Sequence, residues 1–449
     1  MTPPFAYVFE RFPSFTQTFC VREVLEMQRQ GMRPLIFSIH DVSDEAVQHF
    51  PRELMQCVQV LPQEAELVAA VNRLKDERRL PQSAVLTLRH WGERPDKLRV
   101  YEAAFIGHRM REAGVRHAHS HFAGIGARTC WWLRQFFHFT YSFTGHANDL
   151  FCDAGLPLTL RHLVQDAAVV VTVSDFTANW LRGQFPFARR RVRRVYNGLD
   201  LAPITAAARG AAKAQPPLIF SVGRLIEKKG FDDLIRACSH LQKRKVDFQC
   251  VIAGDGPLEM ELTELIAQTG LEGRVTLAGP QPQEEIVRLL GRASAFALPC
   301  VTEKDGGMDN LPTVLMEAMA AALPCASTRL AGVPEMVVHA ETGLLCEERR
   351  PEDFAALLER LLTNHDEAMR FGRAGLERAG ALFAKEKTVA QLAALLVEFG
   401  EVPAAGLPVA GAAVQRQRWQ RLLRRFQRKP PRKRGIFPEP DGSCRIVAE

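Results

Sequence analysis

Residues 218–244 read LIFSVGRLIEKKGFDDLIRACSHLQKR, and they carry the clearest signal of the chain's architecture. Its first five residues are apolar or small, as in a buried strand. A loop with glycine at both ends follows, GRLIEKKG, and the rest has the apolar spacing of a helix. Residues 248–253 form the next predicted strand. Strand, loop, helix and strand in this order predict the start of a parallel, doubly wound sheet.

The N-terminal half of the chain begins in the same way. Predicted strands at 6–9 and 35–39 enclose a helix that ends at Gly31. A chain of 449 residues is long enough for two such domains. Further strand signals, separated by helical patterns, occur at 117–122, 141–144, 169–173, 194–196, 275–278, 295–298 and 324–327. The sequence therefore predicts two Rossmann-like α/β domains.

Composition suggests where these domains begin and end. Residues 203–217 are rich in Ala and Pro and predict a linker between an N-terminal domain, 1–202, and a C-terminal domain, 218–382. A helical pattern at 383–400 follows the second domain. Residues 401–449 predict a flexible tail.

The tail carries the positive charge of the chain. Residues 415–434 hold ten Arg and Lys and no acid, so removing them from the net charge of +7 leaves −3 for the rest. Trp419, Leu422, Leu423 and Phe426 are spaced as one face of a helix. A basic amphipathic helix suits an anionic membrane surface. A helix docked on the acidic body and a disordered tail are the alternatives, and nucleic acid is not the expected partner.

Three observations favour the cytoplasm as the location. No apolar run reaches the ~18 residues that span a bilayer. The first residues lack the pattern of a signal peptide. The ten cysteines contain no C-x-x-C pair and are spread like buried small apolar residues. The tail would allow peripheral contact with the inner face of the membrane.

A charged loop separates the strand and helix of the opening stretch. Arg224 and Lys229 stand five positions apart in it, between Gly223 and Gly230. Guanidinium can bind two phosphate oxygens, and ammonium adds a compact charge, so the pair suits a diphosphate. Taken alone, such a pair is more often part of a solvated loop. Gly254 and Gly279 end two later strands and allow tight turns near a ligand.

Two acids lie close to a predicted helix start. Residues 305–317 read DGGMDNLPTVLME, which places Asp309 eight positions before Glu317, and an apolar helical pattern begins after Glu317. A helix N-terminus favours a phosphate, and nearby carboxylates accept hydrogen bonds from sugar hydroxyls. A surface loop that caps an ordinary helix fits the same pattern.

Histidines mark the ends of two strands in the N-terminal half. Residues 142–149 read SFTGHAND, where His146 could hydrogen-bond a sugar hydroxyl or relay a proton, although a lone His is more often structural. His117, His119 and His121 alternate, so they lie on one face of a strand. No acid or cysteine nearby completes a ligand set, and we predict no metal site.

Taken together and in this order, the strings resemble the retaining, family-4-type glycosyltransferases (glycosyl transferases group 1). GRLIEKKG matches that family's G-R-L-x-x-x-K-G, and SFTGHAND is similar to its F-T-x-H-A-x-D. Residues 309–320, DNLPTVLMEAMA, resemble E-G-x-P-x-x-x-x-E-A-M-A with Asp for the first Glu and Asn for Gly. Residues 11–19, RFPSFTQTF, look like the R-F-P-x-x-x-E-T-F variant of colanic-acid and exopolysaccharide transferases.

The resemblance implies a fold and a reaction. The fold is GT-B, two Rossmann-like domains facing a cleft, with the helix at 383–400 crossing back to the N-terminal domain. The reaction moves a hexosyl group with retention from a UDP- or GDP-linked sugar to a saccharide acceptor, expected to be lipid-linked, in cell-surface polysaccharide synthesis. A GT-B sugar-nucleotide epimerase or hydrolase and a non-catalytic nucleotide-sugar-binding scaffold are the alternatives.

The resemblance also implies residue roles, without a metal or a further cofactor. Three residues carry catalytic roles: His146, Asp309 and Glu317. The donor is held by Gly223, Arg224, Lys229, Gly254, Gly279, Asn310, Leu311, Pro312 and Glu317.

Overall fold

The computed structural model describes residues 4–14, 17–42, 50–90, 96–146, 148–151, 158–304, 306–400, 434–438 and 444–448. The chain forms two compact units. The first comprises Met1–Thr172, Ala178–Val195 and Val389–Glu449, and the second comprises Val173–Thr177 and Tyr196–Thr388. Each unit is a parallel sheet with helices, as the strand-helix alternation predicts.

The first unit is built on a seven-stranded sheet. Its strands are β1 (Ala6–Arg11), β2 (Leu35–His40), β3 (Val58–Val60), β4 (His117–His121), β5 (Thr140–Gly145), β6 (Val169–Thr172) and β7 (Val192–Arg194). They lie in the order β3-β2-β1-β4-β5-β6-β7, and all neighbours are parallel. The order reverses between β1 and β4, which is where ligands bind in such sheets.

Helices connect these strands. They are α1 (Thr18–Arg29), α2 (Arg52–Cys57), α3 (Glu64–Asp76), α4 (Gln82–His90), α5 (Lys97–Glu112), α6 (Ile125–Phe137), α7 (Asn148–Phe151), α8 (Leu160–Asp166) and α9 (Asp175–Gln184). Buried aromatic residues fill much of the core of this unit, among them Tyr7, Phe9, Trp131 and Trp132.

The second unit has a six-stranded sheet. Its strands are β8 (Leu218–Val222), β9 (Gln249–Ala253), β10 (Val275–Leu277), β11 (Ala295–Leu298), β12 (Cys325–Thr328) and β13 (Gly343–Cys346). Their order is β10-β9-β8-β11-β12-β13, again all parallel, with the reversal between β8 and β11. The loops after β8 and β11 therefore flank the ligand position expected for this topology.

Helices also cover this sheet. They are α10 (Leu201–Ala208), α11 (Phe231–Lys243), α12 (Glu259–Gln268), α13 (Gln283–Arg292), α14 (Thr313–Ala320), α15 (Val333–Met336), α16 (Pro351–Thr363) and α17 (His365–Leu382). One continuous cluster of buried apolar side chains fills the interior, with Phe220 and Phe296 on neighbouring strands at its centre.

The helix α18 (Lys385–Gly400) closes the main part of the chain. From Val389 onward it belongs to the first unit, where Leu392 and Leu396 join a buried cluster with Phe5 and Tyr7. Within the described residues, none of the helices has the length and apolar character needed to cross a membrane.

Two predicted boundaries differ from the structure. The predicted linker 203–217 begins with helix: α10 spans Leu201–Ala208, buries Ile204 and lies within the second unit. Ala favours a helix, and Pro203 falls in the first turn, where its missing N–H costs nothing. The strand predicted at 194–196 is observed as β7, two residues earlier.

The tail is described only in part. The strands β14 (Arg434–Pro438) and β15 (Cys444–Ala448) pair as an antiparallel hairpin within the segment predicted to be flexible. The amphipathic pattern around Trp419 to Phe426 lies outside the described residues, as does almost all of the basic run 415–434.

Candidate functional site

The loop after β8 places Lys229 at the reversal point of the second sheet. Gly223 donates its N–H to the Ala253 carbonyl at 3.0 Å, which fixes the start of the loop. A side chain at Gly223 would lie 3.1 Å from Cε of Lys229, so the glycine makes room for the lysine stem. Gly230 ends the loop with φ +65°, and a Cβ there would meet the Pro299 carbonyl oxygen at 1.9 Å. Only glycine fits this turn into α11.

The loop after β11 brings an acid to the same place. The Val301 N–H donates to the Lys228 carbonyl at 3.1 Å and ties the two loops together. Lys229 Nζ then donates to Asp309 Oδ2 at 2.5 Å, and Lys228 Nζ lies 3.5 Å from Oδ1 of the same carboxylate. The three side chains are only 13, 15 and 19% exposed for Lys229, Asp309 and Lys228. We call these three residues the Lys-Asp cluster.

The electrostatics of the Lys-Asp cluster follow from this geometry. Burial alone would raise the pKa of Asp309, but the ammonium groups of Lys229 and Lys228 outweigh it, and the pKa lies below its ordinary value. Burial alone would lower the pKa of Lys229, yet the Asp309 carboxylate raises it. Asp309 and Lys229 are therefore both charged at neutral pH, and with the second lysine the formal charge of the cluster is about +1.

Arg224 lies in the same loop but differs from Lys229. Its side chain is exposed, whereas the flanking Leu225 is fully buried. Among the described residues, Arg224 makes no ion pair with a carboxylate. A guanidinium group in this position can bind an anion that reaches the loop.

The predicted glycine turns meet at this edge of the sheet. Gly254 donates its N–H to the Gly279 carbonyl at 2.8 Å, so the loops after β9 and β10 are in direct contact. Gly254 has φ +135°, and a Cβ there would lie 1.9 Å from the Gly223 carbonyl oxygen. The loops after β8, β9 and β10 are thus packed backbone to backbone. Any side chain at Gly254 would separate them.

The side chain of Asn310 forms hydrogen bonds within the second unit. Its Oδ1 accepts a hydrogen bond from Ser174 Oγ, and its Nδ2 donates to Thr177 Oγ1, both at 2.6 Å. Its carbonyl accepts the Gly332 N–H at 2.9 Å. The amide therefore holds the segment 173–177 of the second unit. Asn310 was predicted as a donor-binding residue, and that role stays a prediction.

The helix that carries Glu317 starts earlier than predicted. Pro312 is the residue before α14, and the helix runs from Thr313 to Ala320. Glu317 therefore lies in the second turn instead of before the helix, because Pro312 with its fixed φ suits the position just outside the first turn. Leu311 is buried in the core of the unit, so its backbone is held rigidly just before the helix N-terminus.

Three residues near this site were missed by the sequence analysis. Ser174 Oγ accepts the Thr177 N–H at 3.1 Å, a cap at the start of α9. Glu335 accepts hydrogen bonds from the backbone N–H groups of Asp175 and Phe176, both at 2.8 Å. The Ser-x-x-Thr spacing was a readable capping signal. Nothing in the local sequence links Glu335 to residues about 160 positions earlier.

In the first unit, His146 follows β5. Its N–H donates to Asp149 Oδ1 at 3.0 Å, and the Ala123 N–H donates to Oδ2 of the same carboxylate at 2.9 Å. Asp149 therefore holds the loop. His146 is half-buried at the same edge as the reversal point between β1 and β4.

The alternating histidines of β4 are hydrogen-bonded within the protein. His117 contacts the hydroxyls of Thr140 and Ser142, both at 2.8 Å. His119 contacts Ser142 and Thr144 at 2.7 and 3.0 Å. Within the part of the chain that is described, no group of three or more His, Cys, Asp or Glu is arranged to hold a metal ion.

Comparison with known families defines the class of protein. Residues 205–378 match the family Glycosyl transferases group 1, and residues 71–203 match Glycosyltransferase Family 4. The chain therefore carries the two domains of the group 1, family-4-type glycosyltransferases. The resemblance predicted from the sequence is confirmed.

Two curated relatives within this class are similar to parts of the chain. The amylovoran biosynthesis glycosyltransferase AmsK of Erwinia amylovora is 45% identical over 147 residues, which are 33% of this chain and 36% of AmsK. The putative colanic acid biosynthesis glycosyltransferase WcaL of Salmonella typhimurium is 34% identical over 238 residues, 53% of this chain and 58% of WcaL. The chain thus spans between about a third and three fifths of the length of these curated relatives.

A solved structure supports the fold. Anabaena Alr3699/HepE in complex with UDP matches 88% of this chain and 100% of its own length, with a TM-score of 0.61 and 16% identity. At this identity the likeness concerns the fold alone, and it confirms GT-B architecture with two Rossmann-like units.

Proposed function

We propose that this protein is a glycosyltransferase that moves a hexosyl group, with retention, from a nucleotide diphospho-sugar to a saccharide acceptor. The observation that carries the proposal is the Lys-Asp cluster, at the reversal point of a group 1 domain. The cluster is positive overall, and the exposed Arg224 lies in the same loop. A diphosphate is the anion that two cations of this kind fit best.

The donor's diphosphate would take the place of Asp309 on Lys229. In the structure, Lys229 is already hydrogen-bonded to that carboxylate, so a bound diphosphate and Asp309 compete for one ammonium group. Arg224 supplies a second contact, and the backbone N–H groups near Leu311, at the start of α14, supply more. Asp309, once relieved of part of its ion pair, accepts a hydrogen bond from a sugar hydroxyl.

The remaining roles follow from chemistry. Glu317, in the second turn of α14, would bind ribose hydroxyls of the donor, and His146 another sugar hydroxyl. The acceptor attacks from the side on which the diphosphate leaves, and the departing diphosphate takes its proton. Lys229 and Arg224 stabilise the negative charge that develops on the leaving group, so the chemistry requires no metal.

The biological setting comes from the relatives. AmsK and WcaL are named for amylovoran and colanic acid biosynthesis. These names support our proposal that this protein acts in exopolysaccharide synthesis. The proposed location in the cytoplasm and the proposed acceptor, a lipid-linked saccharide, rest on the sequence analysis alone. UDP is the nucleotide in the HepE complex, which makes it the first donor nucleotide to test.

Calorimetric binding of UDP and GDP tests the proposal. Lys229→Met keeps the apolar stem and removes the charge, and we expect affinity to fall at least about tenfold, or about 1.4 kcal/mol. Lys243→Ala, an exposed lysine on α11, is the matched control and should bind as wild type does. Equal affinity in wild type and Lys229→Met would remove the phosphate assignment.

Turnover measurements then separate the reaction classes. Wild-type protein should release nucleotide from a UDP- or GDP-sugar only when a lipid extract supplies an acceptor. Release at the same rate without any acceptor would favour hydrolysis or epimerisation. Tight donor binding without turnover would favour a scaffold.

A further inference from the structure

A buried chain of hydrogen bonds leads to His146 in the first unit. His121, at the end of β4, contacts Glu23 Oε1 through Nε2 at 2.9 Å and His146 Nε2 through Nδ1 at 3.1 Å. Tyr7 donates its hydroxyl to the same Glu23 oxygen at 2.5 Å. The His121 side chain is 1% exposed, and that of Glu23 is 14% exposed. We call Glu23, His121 and His146 the histidine relay.

The hydrogen-bond donors and acceptors of the relay limit which ring nitrogens can carry a proton. An ionised Glu23 can only accept, so His121 must carry a proton on Nε2. One proton then lies between His121 Nδ1 and His146 Nε2. If His121 holds it, His146 is protonated at Nδ1 and can donate there. If His146 holds it, its Nδ1 is an acceptor.

The acidic neighbours of His121 select between these two states. Burial would lower the pKa of His121, but Cys20 and Glu23 raise it well above its ordinary value. Burial, and then the neighbouring His121, lower the pKa of His146. Burial also raises the pKa of the Cys20 thiol. The carboxylate of Glu23 lies 2.9 Å from His121 Nε2 and is the acid in direct contact with the ring. His121 is therefore the imidazolium, and it donates from both ring nitrogens.

Aromatic side chains hold the relay in place. The ring of Phe9 stacks on His121 with 5.7 Å between centroids and 11° between planes. Phe122 and Phe19 lie 4.4 and 4.8 Å from the His146 ring. A hydrogen bond in such apolar surroundings is stronger than one in water. The rings of the relay are thus fixed in orientation as well as in protonation.

We infer that Glu23, acting through His121, is a positioning residue that holds His146 as the Nδ1–H tautomer, so that His146 donates a hydrogen bond to a hydroxyl of the bound sugar. The ligand in this inference rests on the proposed function. The relay itself rests on the distances and the electrostatics within the first unit. A purely structural role would need neither a charged Glu23 nor a defined tautomer of His146.

Imidazole ¹⁵N NMR of the full chain at neutral pH tests the relay. In wild type we expect His121 doubly protonated and His146 protonated at Nδ1, with the signals assigned from His121→Asn and His146→Asn variants. Glu23→Gln keeps an oxygen that accepts from His121 but removes the charge. His121 should become neutral, and His146 should switch to the Nε2–H tautomer. Glu26→Gln is the matched control, because its carboxylate lies on the same helix and bonds Arg29 instead.

Kinetics with a donor complete the test. Glu23→Gln should lower kcat at least about tenfold, with Glu26→Gln near wild type, since a lost hydrogen bond to a substrate hydroxyl is worth about 1.4 kcal/mol. An unchanged His146 tautomer in Glu23→Gln overturns the relay. A changed tautomer with unchanged turnover overturns the role in sugar binding. If wild type itself transfers no sugar, the proposed function fails, while the NMR result still decides the relay.

Discussion

Replacing Asp309 with Asn separates the effect of the Lys-Asp cluster on stability from its effect on nucleotide binding. The change keeps the shape and one acceptor oxygen but removes the charge that pairs with Lys229 at 2.5 Å and Lys228 at 3.5 Å. At an effective dielectric constant of about 20, the attraction at the shorter distance is about 7 kcal/mol before desolvation is counted. Breaking one side of a buried pair costs about 3–5 kcal/mol in practice. The remaining hydrogen bond offsets about 1 kcal/mol, so we expect a loss of about 3 kcal/mol in unfolding free energy.

Nucleotide binding should change in the opposite direction. In wild type the cluster has two cations and one anion, and in the variant it has two cations alone. Lys229 no longer has a competitor for the diphosphate, so UDP or GDP should bind about tenfold more tightly, or by about 1.4 kcal/mol. Sugar transfer should nevertheless fall, because the carboxylate that accepts the sugar hydroxyl is lost.

Urea unfolding and calorimetry measure the two effects. Asp200→Asn is the matched control, because Asp200 pairs with Lys385 in the same unit but is 42% exposed. Such a pair contributes at most about 1 kcal/mol, and nucleotide affinity should not change. Weaker binding of UDP and GDP to a folded Asp309→Asn protein would refute the competition between carboxylate and diphosphate.

The difference in unfolding free energy between wild type and Asp309→Asn should depend on pH with a defined sign. The pKa of Asp309 is lowered in the folded state, so its contribution is present above the unfolded value of about 3.9 and is lost as pH falls through the folded pKa. The difference between wild type and Asp309→Asn should therefore be constant near neutrality and shrink in acid.

Three further predictions concern the scaffold. Gly254→Ala forces a Cβ to within 1.9 Å of the Gly223 carbonyl oxygen, and thermal unfolding should show a loss of about 3 kcal/mol or more. Glu335→Gln removes the charged acceptor of two backbone N–H groups and of the Tyr196 hydroxyl, which should cost about 2 kcal/mol in urea. Burial lowers the pKa of His117 to about 3. Its contribution to stability is present above about pH 6.5 and falls by about 1.4 kcal/mol per pH unit towards pH 3, and His117→Asn should remove that slope.

Controls for these variants come from the same chain. Gly183 has open space around its Cβ position, so Gly183→Ala should leave stability nearly unchanged. Unfolding of Gly254→Ala at the wild-type temperature would contradict the packing of the loops. For Glu335→Gln the contradicting result is an unchanged unfolding free energy. For His117→Asn the contradicting result is a pH dependence of the unfolding free energy with the same slope as in wild type, whatever the absolute stability.

Much of the fold was predictable from local pattern. The strands at 218–222 and 295–298 were predicted with the observed bounds, because short apolar runs between turn residues mark buried parallel strands. β7 was predicted two residues late, since arginines at 193 and 194 hide its apolar face. The short strand β13 gave no separate signal. The helix α10 was taken for a linker because composition says little about a helix that is stabilised by packing.

The candidate site was predictable only in its parts. The sequence analysis named Lys229 and Asp309, but it assigned them separate tasks, and their direct contact depends on two loops 80 positions apart. Asn310 was predicted as a donor-binding residue, and the hydrogen bonds of its amide with Ser174 and Thr177 were not predicted. The bonding of a side chain to distant residues depends on tertiary structure, which periodicity does not report.

The second unit is formed by two separate segments of the chain, and this limits where the protein can be divided into fragments. Residues 173–177 belong to that unit although β7 of the first unit separates them from the rest. A fragment that starts after the predicted linker, at residue 218, would lack Ser174, Thr177 and the N–H groups of Asp175 and Phe176. Asn310 and Glu335 would then be severed from those partners. Dissection at the apparent domain boundary therefore yields a truncated fold, and the second unit is better obtained by expressing the whole chain.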